Sequence, residues 1–399
     1  MTNQILSKNM RFRLVFSLYL NYIIHGFGLI ILAQNMTTLS DYWSTSLKMV
    51  SFVISGIGIG RLLAYLITGY LSDKLSRKFF VYLGMACYLF FAIGIVSTKS
   101  IIFAYFCAIL AGIANSALDA GTYTTLVELN DGNGQATVLI KAFVSVGEFI
   151  LPLLIAAIHG ANLWFGWSFI SMVVLLILNA ILLIPLKFPQ PYQNEKNTQG
   201  KIEQRQQSNL GRIIATGALV LYGYTSMALM IWFTQWITLF GEKVAGFNTT
   251  QAHLLLSLYS VGSILGVLCL YIFLNRNISE GPILIIMNIL ATLALGIILL
   301  SHTPLLSHIA SLLFGFSAAG GIMQTGLTVF MKLYPTRRGF VTGIFYFFGA
   351  IASFTEPLIS GALSDISIQV ALGGDFFVGL IGICLVTVIN FASRQAFEM

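Results

Sequence analysis

Residues 49–78 read MVSFVISGIGIGRLLAYLITGYLSDKLSRK. The first part of this stretch, 49–71, contains apolar, small and hydroxyl side chains and a single charged residue, Arg61. A helix of about 20 such residues crosses the hydrocarbon core of a bilayer. The remainder is polar and ends in the basic pair Arg77 and Lys78. The stretch therefore predicts a membrane-spanning helix that is followed by a charged loop at the membrane surface.

Runs of the same type recur along the whole chain. Of its 399 residues, 57% are hydrophobic and only 9% are Asp, Glu, Lys or Arg, whereas a soluble domain carries about 25% charged residues. This composition excludes a water-soluble enzyme and a disordered chain. The runs are also too long and continuous for the alternating strands of a β-barrel. We predict an all-α integral membrane protein with twelve transmembrane helices, near residues 12–34, 49–71, 79–97, 102–128, 137–159, 163–187, 212–240, 252–274, 282–301, 305–331, 339–363 and 376–393.

The sequence lacks the motifs that would indicate catalysis or ATP hydrolysis. No GxxxxGK[ST] segment is present, so we expect no ATP-driven step. Its four cysteines have no CxxC spacing, which excludes a disulfide framework or a zinc site of the usual type. We therefore expect neither an enzyme nor a bound cofactor or metal. The expected partners are a small-molecule substrate, protons and the lipid bilayer, with no nucleic acid and with the monomer as the working unit.

Basic residues predict how the chain is oriented. Of the 21 Lys and Arg residues, only Lys48, Lys99 and Lys243 fall in the loops on the side opposite the termini. Cytoplasmic loops are enriched in Lys and Arg. We therefore expect a multi-pass protein of the cell membrane with both termini in the cytoplasm. The net charge of +7 then reflects topology and contact with anionic lipid headgroups.

The chain divides into two related halves. The polar stretch 188–211 separates six predicted spans on each side, which predicts an N-terminal bundle over 1–187, a cytoplasmic linker and a C-terminal bundle over 212–399. The second span carries Gly56 and Gly60, and the eighth carries Gly262 and Gly266 with the same spacing. Small residues at such spacing allow helices to approach closely. Two parallel repeats of this kind place a substrate site near the midplane between the bundles.

The loop after the second span resembles a known motif. GYLSDKLSRK at 69–78 is similar to the inner-loop motif of the major facilitator superfamily, a Gly, then an Asp four residues on, then a Gly-Arg-Lys group, with Ser76 at the position of the second Gly. The resemblance implies transport by alternating access, in which two pseudo-symmetric six-helix bundles rock about a central site. It also implies a conformational latch on the cytoplasmic face, formed by Gly69, Asp73, Arg77, Lys78 and Glu128.

A second resemblance concerns the fourth span. NSALDAGT at 115–122 looks like the acidic fourth-span motif of the fucose–proton symporter group and its sugar-transporting relatives. In that group the carboxylate helps to couple proton and sugar, and the corresponding position here is Asp119. The acidic residue that the group carries in its first span has no counterpart, because this span offers Asn21, His25 and Gln34 instead.

Four ionisable residues stand out inside the predicted spans: Arg61, Asp119, Glu148 and Glu356. Charges in the hydrocarbon core are costly, so each is a functional hypothesis. A rise of 1.5 Å per residue places the first three about 17–18 Å from the cytoplasmic surface. We therefore expect a proton-coupling cluster in which Arg61 neutralises one carboxylate while another carries the proton. Two alternatives are that Arg61 binds an anionic substrate, and that a static ion pair holds the bundle together.

By family resemblance, the first, fourth, seventh and tenth spans line the central cavity. The candidate substrate-binding residues there and on the second span are Asn21, His25, Arg61, Asn115, Asp119, Trp232, Gln235, Trp236 and Gln324. A cavity lined by charged residues of the N-terminal half and by Trp and Gln of the C-terminal half suits a small polar solute with one apolar face. We expect a proton-coupled symporter for a sugar or an organic acid. The alternatives are a proton-driven exporter of hydrophobic cations, a passive uniporter and a non-transporting membrane sensor.

Overall fold

The computed structural model describes residues 8–71, 76–129, 135–189, 210–275, 280–335 and 337–397. Within these ranges the chain forms helices and no strand. Twelve of the helices are long and apolar enough to cross a membrane. The prediction of an all-α protein with twelve spans is therefore confirmed.

We number the spanning helices α1–α12 in chain order. Their bounds are α1 Lys8–Gln34, α2 Leu47–Leu71, α3 Arg77–Ser97, α4 Ile101–Leu129, α5 Gln135–Gly160, α6 Gly166–Leu183, α7 Leu210–Lys243, α8 Thr249–Asn275, α9 Glu280–Leu300, α10 Pro304–Leu333, α11 Arg338–Ser364 and α12 Ile368–Phe397. A short helix, Met36–Tyr42, joins α1 to α2, and α10 contains a π-helical segment, Gly315–Ile322.

Helix α12 differs from its prediction in a way that affects the chemistry of the protein. The predicted run near 376–393 stops at Asp375, because the carboxylate interrupts the apolar stretch. In the structure α12 begins at Ile368, so Asp375 lies inside the helix and is completely buried. A buried acid in the C-terminal half was therefore missing from the sequence analysis.

The twelve helices form two bundles, α1–α6 and α7–α12, that meet along three helix pairs. Helix α2 packs on α11, α5 packs on α8, and α1 contacts α7. The predicted linker falls largely on residues 190–209, which lie outside the described residues. Its cytoplasmic location stays a prediction.

The repeated glycines allow the same close approach of two helices in both bundles. Gly60 of α2 lies against Gly112 of α4, and Gly266 of α8 lies against Gly320 of α10. A Cβ atom at either Gly60 or Gly266 would collide with the backbone of the neighbouring helix. The two helix crossings correspond, which supports the internal repeat and gives these glycines a packing role.

An even number of spans brings both chain ends to one side of the protein. We call this side the terminal face and the opposite side the distal face. Large apolar side chains project outward from the bundles, among them Phe12, Ile102, Leu305 and Phe391. Such a surface suits contact with lipid.

Candidate functional site

A carboxylate held by two tyrosines lies between three helices of the N-terminal bundle. Asp119 of α4 accepts a hydrogen bond of 2.7 Å from the hydroxyl of Tyr22 on α1, and one of 2.6 Å from that of Tyr65 on α2. Hydrogen bonds to an ionised acceptor are short and strong. Tyr22 is buried, whereas Asp119 and Tyr65 remain partly accessible. The carboxylate is therefore held in position by two hydrogen bonds, while the residue stays partly accessible.

Arg61 lies one turn before Tyr65 on α2 and belongs to the same group of side chains. Its guanidinium carbon is 6.0 Å from the centroid of the Tyr65 ring, and its charge acts on Asp119. Nη1 of Arg61 donates a 3.2 Å hydrogen bond to Ser353 on α11, while its Nε has no partner. Among the described residues no ion pair joins Arg61 to a carboxylate. The expected neutralising pair is not formed: each oxygen of Asp119 accepts a hydrogen bond from a tyrosine, and Nη1 of Arg61 donates to Ser353.

Tyrosines from both bundles face this carboxylate. Tyr123 lies one turn beyond Asp119 on α4 and meets Tyr22 edge to face, with 6.1 Å between the ring centroids. Tyr346 of α11 approaches from the other bundle and interacts electrostatically with Asp119 and Tyr123. Tyr123 and Tyr346 are each 41% exposed. From these two accessible, facing side chains we infer a cleft between the bundles beside Asp119.

His25 extends the cluster into the N-terminal bundle. Its Nδ1 atom is 2.5 Å from the Tyr88 hydroxyl, and its ring lies edge-on to Tyr22 at a centroid distance of 5.7 Å. Asn21, one turn earlier on α1, accepts a 2.8 Å hydrogen bond from Asn179 of α6. Of the two predicted α1 residues, His25 contacts the cluster and Asn21 faces the interior of its own bundle.

Glu148 lies at the α5–α8 contact. Its Oε2 atom is 3.8 Å from Nζ of Lys141, a residue to which the sequence analysis gave no role. Ser145, one turn earlier, bonds to Ser263 of α8 across the bundle interface at 3.1 Å. The expected cluster of Arg61, Asp119 and Glu148 is thus not formed around one cation. An equal depth in the membrane does not determine which way a side chain points around its helix. Glu148 points from α5 towards Lys141 and not towards Arg61.

Three predicted binding residues of α7 are engaged in helix packing. Nε1 of Trp232 donates a 2.5 Å hydrogen bond to the Ala371 carbonyl of α12. The side-chain amide of Gln235 donates a 2.9 Å hydrogen bond to Ser51 of α2, across the bundle interface. Trp236 is fully buried, and its Nε1 has no partner.

The remaining predicted binding residues lie on the two helices that correspond in the repeat. Asn115 is buried on α4, one turn before Asp119. Gln324 lies on α10, two residues beyond the π-helical segment, and is partly accessible. Its Oε1 atom is buried and has no hydrogen-bond partner within the protein.

The bundles are joined at the distal face by a buried network and an exposed ion pair. Gln34 of α1 donates a 2.9 Å hydrogen bond to Thr238 of α7, and its Oε1 lies 2.8 Å from Nδ1 of His253 on α8. All three side chains are buried, and we call them the distal amide network. Nearer the surface, Lys48 and Asp365 form an ion pair of 2.7 Å, with each side chain about half exposed.

Glu356 of α11, predicted as a coupling residue, is completely buried and neither carboxylate oxygen has a hydrogen bond. It lies one turn beyond Ser353, the partner of Arg61, and the charge of Glu356 acts on Asp375 of α12. Glu356 is thus placed in the C-terminal bundle, apart from the tyrosines that hold Asp119.

The predicted latch is described only in part. Asp73 lies outside the described residues, as do the side-chain surroundings of Gly69 and Glu128. Arg77 is buried at the start of α3. Lys78 donates hydrogen bonds of 3.0 and 3.1 Å to the carbonyls of Ile184 and Leu186, where the end of α6 leaves acceptors unpaired. Lys78 therefore caps a helix of its own bundle.

Ser76 explains one departure from the family motif. It is the N-cap residue of α3, and its hydroxyl accepts a hydrogen bond from the backbone N–H of Phe79. Serine is among the preferred N-cap residues. The side chain that replaces glycine therefore stabilises the helix start.

The sequence analysis missed the tyrosines around Asp119, although a signal was present. Tyr65 follows Arg61 by four residues, and Tyr123 follows Asp119 by four. Residues at this spacing share one face of a helix. Each tyrosine therefore had to point in the same direction as the charge before it.

Comparison with known proteins identifies the family. The sequence profile of the Major Facilitator Superfamily matches residues 18–357. The chain is 40% identical to the inner membrane transport protein YdiM of Escherichia coli (strain K12) over 97% of this chain and 96% of that protein. It is also 37% identical to the uncharacterized MFS-type transporter YfkL of Bacillus subtilis (strain 168), over 87% of this chain and 88% of that protein.

A solved structure shares the fold. The D-xylose-proton symporter superposes with a TM-score of 0.76 at 13% identity, covering 95% of this chain and 97% of that one. The twelve spans, the two related bundles and the matches over nearly the whole sequence lead to one conclusion. The chain belongs to the Major Facilitator Superfamily and is a multi-pass membrane transporter, not an enzyme.

Proposed function

We propose that the protein is a proton-coupled symporter of a small polar metabolite, a sugar or an organic acid, in the inner membrane. The observation that carries the proposal is the setting of Asp119. Its carboxylate is accessible from the cleft and bonded by two neutral hydroxyls, and no cation lies within ion-pair distance of it among the described residues. A carboxylate in such a site can accept a proton at a moderate energetic cost.

The hydroxyls of Tyr22 and Tyr65 support this role, because a tyrosine hydroxyl can donate or accept a hydrogen bond. Both donate to the ionised carboxylate. When Asp119 is protonated, one of them can accept the new O–H without any movement of the backbone. The site therefore accommodates both protonation states.

Arg61 and the tyrosine rings support a polar solute with one apolar face. The guanidinium of Arg61 lies beside the carboxylate, where a hydroxyl or carboxylate of the solute could bind. Tyr123 and Tyr346 present accessible rings on the two sides of the cleft. Gln324 adds a partly accessible amide side chain from the opposite bundle. Asn21, Trp232 and Gln235 then serve as packing residues.

The direction of opening follows from where the contacts lie. The distal amide network and the Lys48–Asp365 pair join the bundles at the distal face. The accessible Tyr123 lies on the terminal-face side of Asp119 along α4. Because basic residues concentrate on the terminal face, we assign that face to the cytoplasm. The described conformation is then open inward and closed outward.

Two comparisons agree with this proposal. YdiM is named an inner membrane transport protein, and the structural neighbour is titled a D-xylose-proton symporter.

The test begins with a thermal-shift screen of the purified protein with sugars, hydroxy acids and aromatic acids at two pH values. A ligand that binds the folded state raises the melting temperature by mass action. The best ligand is then followed in proteoliposomes with an inward-directed proton gradient. Asp119→Asn should abolish gradient-driven accumulation and retain solute exchange. Glu148→Gln, which removes a carboxylate paired with Lys141 outside the cluster, is the matched control. Unchanged accumulation in Asp119→Asn would exclude the coupling role.

One observation favours a second candidate function. Several tyrosine rings around a carboxylate also suit a lipophilic cation, which aromatic faces attract. Arg61 beside the same site opposes this, because it repels a cation. Stabilisation by lipophilic cations alone in the screen would favour an exporter, and gradient-independent flux in Asp119→Asn equal to that of the wild type would indicate a uniporter.

A further inference from the structure

Two acidic side chains are fully buried in the C-terminal bundle. Glu356 on α11 and Asp375 on α12 are each 0% exposed, and none of their carboxylate oxygens has a hydrogen-bond partner. At 1.5 Å per residue, Glu356 lies about 12 Å from the distal end of α11 and Asp375 about 10 Å from that of α12. The two groups share one depth, and the charge of Glu356 acts on Asp375. We call them the acidic pair.

The cations nearest in the fold are engaged elsewhere. On α2, which packs against α11, Arg61 donates to Ser353, and Lys48 pairs with Asp365 at the distal surface. No ion pair reaches the acidic pair anywhere in the described part of the chain. The negative charges are therefore not balanced by a basic side chain.

One titratable tyrosine bonds to the residue next to Glu356, and a second interacts with Asp375. Tyr224 of α7 bonds to Thr355 at 2.8 Å. Tyr259 of α8 is buried and lies where the charges of Asp375 and Glu148 both act on it. These neighbours are neutral, so they do not supply a counter-charge.

Two adjacent buried anions without partners are energetically unfavourable. The effective cost of burying one unpaired ion is several kcal/mol, and repulsion between like charges adds to it. Protonation removes both costs. We propose that Glu356 and Asp375 form a second proton-binding site, distinct from Asp119, that exchanges its proton with the distal side.

A connected set of polar groups closes the route to the distal side in the described conformation. Ser360 lies one turn beyond Glu356 on α11, beside its carboxylate but outside hydrogen-bond geometry. The amide nitrogen of Gln235 lies 3.5 Å from Ser360 and donates a 2.9 Å hydrogen bond to Ser51 of the other bundle. The amide oxygen of Gln235 is buried without a partner. When the bundles separate at the distal face, the bond to Ser51 breaks and water gains access to Glu356.

Proton binding by the acidic pair is independent of the proposed symport, and only its role in a transport cycle rests on that function. The binding test therefore uses the purified full-length protein without substrate. Infrared spectra measure the carbonyl stretch of protonated carboxylic acids at neutral pH. We expect a band in the wild type that is reduced in Glu356→Gln and in Asp375→Asn and lost in the double variant. Gln and Asn are neutral and nearly isosteric with the protonated acids, so these variants should fold.

Two controls separate this site from the others. Glu148→Gln, a buried acid with a basic partner, should keep the band, and so should Asp119→Asn. An identical spectrum in wild type and double variant would overturn the proposal, because the acidic pair would then be ionised. If the double variant does not fold, each single variant decides the question by the same comparison.

The rate of hydrogen–deuterium exchange at the acidic pair tests the route to the distal face. Exchange into heavy water shifts the carboxylic acid band, and Gln235→Ala removes the interbundle bond without touching the acidic pair. We expect the shift to occur several-fold faster in Gln235→Ala than in the wild type. Equal rates would overturn the route through the distal face.

Discussion

The distal amide network should hold the bundles together more strongly than the exposed ion pair above it. Replacing Gln34 by Ala removes the hydrogen bonds to Thr238 and His253, both of which are buried. A net value of about 0.5–1.5 kcal/mol for each of two partners gives about 1–3 kcal/mol. This corresponds to a shift of roughly 5- to 150-fold towards the distal-open state.

The Lys48–Asp365 ion pair should contribute less to keeping the distal face closed. Lys48 and Asp365 are 50% and 49% exposed, and exposed pairs are worth about 0.2–1 kcal/mol. Lys48→Gln should therefore shift the same equilibrium by less than about fivefold. The two expected ranges scarcely overlap, so one measurement can separate them.

Pulsed electron–electron double resonance between spin labels at Ser100 and Lys243 measures the distance between the bundles at the distal face. Both positions are exposed, and the two accessible cysteines, Cys269 and Cys384, are replaced first. Gln251→Ala is the matched control, because the side chain of Gln251 accepts a hydrogen bond from Asn248 of the same bundle. If Lys48→Gln opens the distal face as far as Gln34→Ala does, the reasoning from burial is wrong.

Two further predictions concern stability. Gly266→Ala places a Cβ atom against the backbone of Phe316, and overpacking of this kind costs about 1–3 kcal/mol, so the melting temperature of this variant should fall. Gly217→Ala has open space around the new Cβ atom, and alanine is favoured over glycine inside a helix, so this variant should melt at or above the wild-type temperature. Lys78→Ala removes the cap of α6 and should lower thermal stability by about 0.5–2 kcal/mol at an unchanged transport rate; slower transport at unchanged stability would instead assign Lys78 to the latch.

The fold could be predicted from the sequence because the membrane restricts the possibilities. Apolar runs of sufficient length must be helices in lipid, and their number and the repeat of Gly60 and Gly266 define two bundles. The end of a span is less certain where a charge interrupts the run. Asp375 was excluded from α12 for this reason, and with it half of the acidic pair.

The candidate site was less predictable. Hydropathy predicts how deep in the membrane a residue lies, but not towards which neighbouring helix its side chain points. Asp119 and Arg61 were found as charges in apolar runs, and the structure places them in one cluster. Glu148 shares their depth but pairs with Lys141. Tyrosine is common in membrane proteins for reasons unrelated to binding, so Tyr22 and Tyr346 gave no signal above that background until the helices were placed.

The partners of Asp119 have a consequence for the transport cycle. Tyr22 and Tyr65 both belong to the N-terminal bundle, and the contact of Gly60 with Gly112 ties α2 to α4. If this bundle moves as a rigid body, the coordination of the carboxylate is the same in every state. Within this cluster, the described hydrogen bond from Arg61 to Ser353 crosses to the other bundle. The affinity of Asp119 for a proton would then be set by what fills the cleft, water or solute, and by whether Arg61 has been released.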